Sequence, residues 1–394
     1  MIKKEDARTF YGYIRPDGQA GIRNHVAVMP SVVCANEVAQ AIVAQVSGTV
    51  GLFHHQGCCQ LPPDLDRVTQ TLLGLALNPN AGAVLIVSLG CEGTDHARIA
   101  AEAEKTGKPV EVIHIQESGG TSKAIAAGID AASRLARGIS SMQREPVDIS
   151  RLALALKCGA SDATSGMASN CVLGYVTDKL ISLGGTVIFG EVTEFLGAEH
   201  ILAKRAITPE VGDKILKIVD RMENRAMSLG CDMRKGQPTP GNIEGGLSSI
   251  EEKSLGAIVK SGSKPILDVL GYTDRIGGRK GLYIKDTPGR EPEILTGMGC
   301  AGAQAMLFST GRGAPQGFPL MPVIKVCGNP ITFERMQNDM DINAGLIITG
   351  EKSIEEAGEE TFEMLLRVLN GEQSKNESLG YFNCIDIYTL GPVI

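Results

Sequence analysis

At 394 residues and a formal net charge of −7, the chain exceeds what a single hydrophobic core usually supports, so two domains are expected. Its 43% hydrophobic and 21% charged residues fit a globular protein, and with no basic run and no basic–aromatic interleaving nucleic acid is not an expected partner. No apolar stretch reaches the ~18–20 residues of a membrane span, and the charged start MIKKEDARTF lacks a signal-peptide core, so a cytoplasmic location is expected.

In chain order, residues 12–24 (GYIRPDGQAGIRN) read as turns around Pro16-Asp17-Gly18, leading into an apolar run at 25–33. A helix is predicted over 36–45 and a short strand over 49–53, ending in His54-His55-Gln56-Gly57-Cys58-Cys59. Pro62-Pro63-Asp64 opens a helix to about Leu77, with Asp64 as its expected N-cap. A buried strand over 83–89 runs into Gly90-Cys91-Glu92-Gly93, followed by a helix to Thr106, a strand over 110–115 and a helix over 121–137. Residues 140–150 read as a linker.

The alternation then restarts. A strand over 152–156 breaks into Lys157-Cys158-Gly159-Ala160-Ser161-Asp162, with Thr164-Ser165-Gly166 beyond. A helix over 171–183, a strand over 186–189 and a long helix over 209–228 follow. Residues 236–246 form a breaker-rich loop, and a capping box at Ser249/Glu252 or Ser248/Glu251 starts the next helix. Strands are predicted over 266–270, 282–285, 305–309 and 323–326, with a final helix over 354–369. Strands alternating with helices of this length give an α/β fold, two Rossmann-like domains with mostly parallel sheets. The boundaries are 1–145 and 146–394, the second carrying the Lys157–Asp162 loop.

Ligands of open α/β sheets sit outside the carboxyl ends of the strands, so chemistry is sought there. Three strand ends place a thiol beside glycine: Cys58, Cys91 and Cys158. Such thiols suit an iron–sulfur cluster, a single iron or zinc. None forms a CxxC pair, and unliganded turn cysteines fit the same pattern. Cys34, Cys171, Cys231, Cys327 and Cys384 read as structural, while Cys300 stays open. His54 and His55 precede the first thiol and read as metal ligands or as hydrogen-bonded strand-end residues. Glu191, Glu194, Glu199 and His200 form a cluster fit for a divalent cation or a general base, or, for Glu199, for a helix N-terminus. Lys157 and Arg312 are candidates for a substrate carboxylate. The chain has no Walker loop, no GxGxxG and no GxSxG, so nucleotide and serine-hydrolase chemistry lack support.

The motifs GYIRPDGQAGIRNHVAVMP, HHQGCCQ, VSLGCEG, LKCGASDATSGMASN, GEVTEFLGAEHIL, GNIEGGLSSIEEKSLG and TGRGAPQGFPLMPVIKV followed by DMDINAG, in this order, resemble the altronate/galactarate dehydratase family. The resemblance covers nearly the whole chain and implies a metal-dependent carbon–oxygen lyase that dehydrates a sugar acid to a 2-oxo-3-deoxy acid. Iron, as Fe2+ or a cluster, is the implied cofactor, with Mn2+ or another divalent ion as the alternative. The implied metal ligands are Cys58, Cys91 and Cys158. The implied catalytic set is Lys157, Asp162, His55, Glu194 and His200, and the substrate-binding set Arg23, Asn24, Ser161, Ser165 and Arg312. The family also includes the large subunit of sulfolactate sulfo-lyase, and retention of Cys58 and Cys91 favours dehydration. Dehydratases of the family carry a small SAF-like module ahead of the body, where this chain starts directly. A separate small subunit is therefore expected, together with homo-oligomers. A third reading is a large subunit without chemistry of its own.

Overall fold

The computed structural model describes residues 8–382 and 385–391, and Cys384 lies outside them. Fourteen strands are described. They are β1 (Thr9–Ile14), β2 (Ala20–Gly21), β3 (His25–Pro30), β4 (Thr49–Gly51), β5 (Ala81–Ser88), β6 (Val110–His114), β7 (Glu145–Asp148), β8 (Ala153–Gly159), β9 (Thr186–Phe189), β10 (Ile266–Leu270), β11 (Leu282–Lys285), β12 (Ala305–Thr310), β13 (Val323–Cys327) and β14 (Ile342–Asn343). They form a four-stranded sheet in the order β4-β3-β5-β6 and a seven-stranded sheet in the order β10-β11-β9-β8-β12-β13-β14. Every pairing within these two sheets is parallel. The α/β expectation is met.

The parallel strands read as continuous apolar runs because both faces are covered; every residue of β5 is buried. Alternate residues feed separate layers, as the two-residue strand period demands. Val26, Val28, Leu85 and Val87 face the helices Asn36–Val43 and Thr121–Ile139. Ala27, Met29, Val84 and Ile86 face the other way, into a core they share with Ala155, Ile188, Met306 and Phe308 of the large sheet. Helices Pro62–Ala76 and Glu291–Cys300 fill this common middle layer, and Cys300 is buried in it.

Three expectations are corrected. Residues 140–150 are not a linker: β7 pairs antiparallel with β1, and β1 with β2, in a third small sheet. Asp64 does not cap its helix, whose N-cap position is Leu61; its carboxylate accepts instead from the N–H groups of Leu390 (2.8 Å) and Gly391 (2.6 Å). Strand β8 continues through Gly159, so Lys157 and Cys158 are strand residues and not loop residues. The helix start at Ile250 takes the Ser249 register, with Ser249 Oγ accepting from Glu252 N, while Glu252 reaches back to Ser248.

Candidate active site

In the large sheet, connections run one way from β8 through β9 and the other way through β12, so the order reverses beside β8. That reversal is where an open α/β sheet leaves a crevice, and the ends of β8 and β9 deliver the site residues into it. A cavity of about 480 Å³ opens there, walled by Lys157, Ser161, Glu191, Glu194, Lys253 and Glu291 among others. The backbone is strained around it. Among the described residues, only Cys59, Ala160 and Glu191 are non-glycine positions at positive φ (53°, 48° and 71°), and the last two line this cavity. Such conformations persist where the surroundings enforce them, and they gather at functional sites.

The floor of the cavity is a buried chain of alternating charge. Lys157 Nζ pairs with Glu191 Oε1. Glu191 Oε2 accepts from Lys260 Nζ at 2.8 Å and from Cys158 N at 3.0 Å, and Lys260 reaches Glu194 Oε2 at 2.8 Å. The side chains of Lys157, Lys260 and Glu191 are no more than 1% exposed. Burial opposes every charge here. For Lys260 and Lys157 burial is outweighed by the carboxylates, chiefly Glu191, and both ammonium groups are held above their ordinary range. Glu191, between two cations, is held below the carboxylate range despite its burial. Glu194 has one cation and an anionic neighbour; burial first and Glu191 second push it up, so it holds a proton more readily. Burial likewise raises the Cys158 thiol, which touches Ser161 Oγ at 3.0 Å and accepts from Asn170 Nδ2 at 3.5 Å.

Glu291 forms the opposite wall, one-third exposed and 3.8 Å from Lys157 Nζ. The space beneath it is tight: a Cβ on Gly159 would lie 2.6 Å from Glu291 Oε1 and 2.8 Å from Cζ of the buried Phe308 ring. A link reaches this wall from the small sheet. His55 Nδ1 lies 3.0 Å from Asp386 Oδ1, and Asp386 Oδ2 lies 2.5 Å from Arg290, which also lines the cavity.

Of the sequence-predicted residues, Lys157, Cys158, Ser161 and Glu194 meet at this cavity. Ser165 lines an adjoining one of about 300 Å³ with Cys158 and Ser161. Asp162 lines that adjoining cavity too, and its carboxylate holds the loop, with three donors on Oδ1 and one on Oδ2. It accepts from Thr164 Oγ1 (2.6 Å), Ser165 N (3.0 Å), Ser165 Oγ (3.3 Å) and Asn329 Nδ2 (3.0 Å), which makes it a brace for the loop. Arg312 pairs with Glu244 at 2.8 Å and is exposed. His200 is exposed on the helix Glu199–Lys204, away from Glu191 and Glu194, because that helix turns outward after Phe195 and Leu196 enter the core. Arg23 and Asn24 are not presented to a ligand. Arg23 grips Glu377 through two nitrogens, at 2.7 and 2.8 Å, and donates to three carbonyls. Asn24 accepts from Arg15 and donates to Ile139 O.

The three thiols come from two sheets, and the loops of Cys58 and Cys91 touch, Gly93 N donating to Gly57 O at 3.0 Å. Cys158 ends a strand of the large sheet and is buried, whereas Cys58 and Cys91 follow strands of the small sheet and are exposed. Among the described residues no three His, Cys, Asp or Glu side chains stand together as a metal-holding group. As placed among the described residues, the three thiols do not form a ready metal-holding set. Sequence reasoning missed Lys260, buried beneath the cavity, and Glu291 in its wall. Glu291 was signalled by its place after β11, a parallel strand whose end was left unread; Lys260, a lone cation within an apolar stretch, gave a weaker signal.

Residues 149–392 match the C-terminal domain described as D-galactarate/altronate dehydratase, and residues 12–140 match the second domain of D-galactarate dehydratase/altronate hydrolase. The chain belongs to the D-galactarate/altronate dehydratase family. Its relatives in that family are lyases. The (2R)-sulfolactate sulfo-lyase subunit beta of Chromohalobacter salexigens is 39% identical over 95% of this chain and 96% of that one. Altronate dehydratase of Bacillus subtilis is 33% identical over 94% of this chain and 76% of its own length. Galactarate dehydratase (L-threo-forming) of Escherichia coli is 34% identical, with 98% and 77% covered. No helix among the described residues is long and apolar enough to cross a membrane.

Proposed function

We propose that the chain catalyses β-elimination of water from a 2-hydroxy carboxylate of the sugar-acid class, giving a 2-oxo-3-deoxy acid. The observation that carries this reading is the buried chain Lys157–Glu191–Lys260–Glu194 at the cavity floor, with Glu194 poised to hold a proton. Hydroxide is a poor leaving group and needs that proton at the moment the C3–O bond breaks. Glu291, across the cavity and partly exposed, takes the C2 proton. The C2–H electrons become the C2=C3 bond, the C3 hydroxyl leaves with the Glu194 proton as water, and the enol tautomerises to the ketone. Lys157 presents a positive charge toward the substrate carboxylate as negative charge builds on it. Ser161 supplies a hydroxyl for the substrate, and Arg290, braced by Asp386 and His55, closes the wall.

A second reading is favoured by the near full-length match to a sulfo-lyase subunit: sulfite leaves from C3 instead of water, and no proton donor is needed. That relative is a subunit, and a separate small partner for this chain belongs to both readings. A metal requirement, for iron, Mn2+ or another divalent ion, belongs to either reading. The test is an anaerobic assay of the purified chain, with and without added iron, on altronate, galactarate and sulfolactate, following 2-oxo acid and sulfite. Water elimination from either sugar acid, abolished in Glu194→Gln, supports dehydration. Sulfite release from sulfolactate alone, unaffected by Glu194→Gln, establishes the second reading instead.

A further inference from the structure

A second cleft, of about 610 Å³, opens at the opposite edge of the large sheet. Its residues stand at the starts of strands: Ala153 begins β8, Gln304 precedes β12 and Lys280 precedes β11. Three cations line it, Arg151, Arg275 and Lys280. Among the described residues none of them is ion-paired with a carboxylate. Arg151 donates to Gly18 O at 2.7 Å, and Arg275 to Gly74 O at 2.9 Å and Gln19 Oε1 at 3.0 Å. The one acid in the lining, Asp17, is turned to Gln19, accepting from its N at 3.0 Å and its Nε2 at 2.6 Å. Between Arg275 and Lys280 the backbone N–H groups of Gly277, Gly278, Arg279 and Lys280 donate to no protein acceptor among the described residues. A Cβ on either glycine would meet nothing within 4 Å, so the approach to those amides is open.

We propose that this cleft binds a phosphate-class oxyanion, either inorganic phosphate or the phosphate group of a small metabolite, at a site separate from the elimination cavity. Exposed amides with no protein acceptor are free to donate to an oxyanion, and guanidinium N–H groups bind tetrahedral oxyanions well. Burial and then the charge of Arg151 hold the Lys280 ammonium below its ordinary range, and an anion between them would offset that repulsion. Arg275 is anchored by carbonyls and fixes the geometry, while Arg151 and Lys280 are exposed and replaceable without disturbing the core.

The test is calorimetric titration of the full chain with inorganic phosphate and, separately, with glycerol 3-phosphate, at constant ionic strength set by chloride. Saturable binding of at least one is expected, with the dissociation constant raised about tenfold or more in the Arg151→Ala/Lys280→Ala variant, the loss of about one charge-assisted contact or more. Tighter binding of the ester identifies the metabolite source, and equal binding the free ion. Should the double variant not fold, Lys280→Ala alone carries the same comparison. No saturable binding of either probe, unchanged affinity in the variant, or equal affinity for malonate would each overturn the proposal.

Discussion

A buried charge survives only when its neighbours hold it, and the cavity floor sets four such charges against one another. Removing one member should therefore show which residue serves the fold and which serves the chemistry. Lys260→Met leaves Glu191 and Glu194 without their shared cation, and loss of one partner from a buried pair costs about 3–5 kcal/mol; chemical denaturation should read that loss. The pH dependence has two opposite parts. Glu191 is held low, so its contribution is present above the ordinary carboxylate range and is lost as pH falls through its lowered value. Glu194 is held high, so its contribution is present below the ordinary range and is lost as pH rises through its raised value. Glu194→Gln should accordingly remove the decline on the alkaline side of the stability profile while lowering kcat about 10²–10⁴-fold at little change in KM, the usual span of a general acid. Unchanged kcat would displace Glu194 from the chemistry. Asp162 behaves differently: with four donors on its carboxylate, Asp162→Ala should lower the melting temperature as well as turnover, and a fully stable variant would contradict its role as a brace.

The elements explain why some of this was legible beforehand. Strands Thr186–Phe189, Ile266–Leu270 and Leu282–Lys285 and helices Pro209–Ser228 and Ile354–Leu369 lie where apolar period and caps place them, because pattern and tertiary burial agree there. The last helix begins in a capping box of Ser353 with Glu356. Ser353→Ala should cost about 1 kcal/mol in denaturant unfolding and leave kcat/KM unchanged; a change in kcat/KM would mean that this helix reaches the site. What the sequence hid was pairing. β1 and β7 have short, half-exposed patterns and lie 130 residues apart, so nothing local announces their ladder. The thiols show the same limit: Cys58 and Cys91 follow strands of one sheet and Cys158 lies on a strand of the other, and sheet membership is not written in spacing. Lys157 and Glu194 were legible as chemistry because both follow apolar runs. Lys260 was not, since a cation among apolar residues reads as a helix face until its carboxylates are seen.

At the scale of the whole molecule, the two parallel sheets do not stand apart as sequence-defined halves but bury one middle layer in common. Small-sheet residues Met29 and Ile86 and large-sheet residues Met306 and Phe308 belong to the same apolar cluster. Within that layer helices Pro62–Ala76 and Glu291–Cys300 cross closely, and any side chain at Gly74 would collide with Cys300. Glu291, the proposed base, begins the second of these helices, so the junction also sets one wall of the cavity. A shared core implies cooperative unfolding, so scanning calorimetry should give a single transition with equal calorimetric and van't Hoff enthalpies. Gly74→Val tests the link between junction and site. Overpacking costs about 1–3 kcal/mol and forces the two helices apart, which should lower the melting temperature and, by shifting Glu291, lower kcat. Gly74 lines no part of the elimination cavity, although its carbonyl accepts from Arg275 of the second cleft. Two resolved transitions in the unmodified chain would mean that the halves fold independently. A destabilised Gly74→Val variant with full kcat would mean that the crossing holds the molecule together without positioning its chemistry.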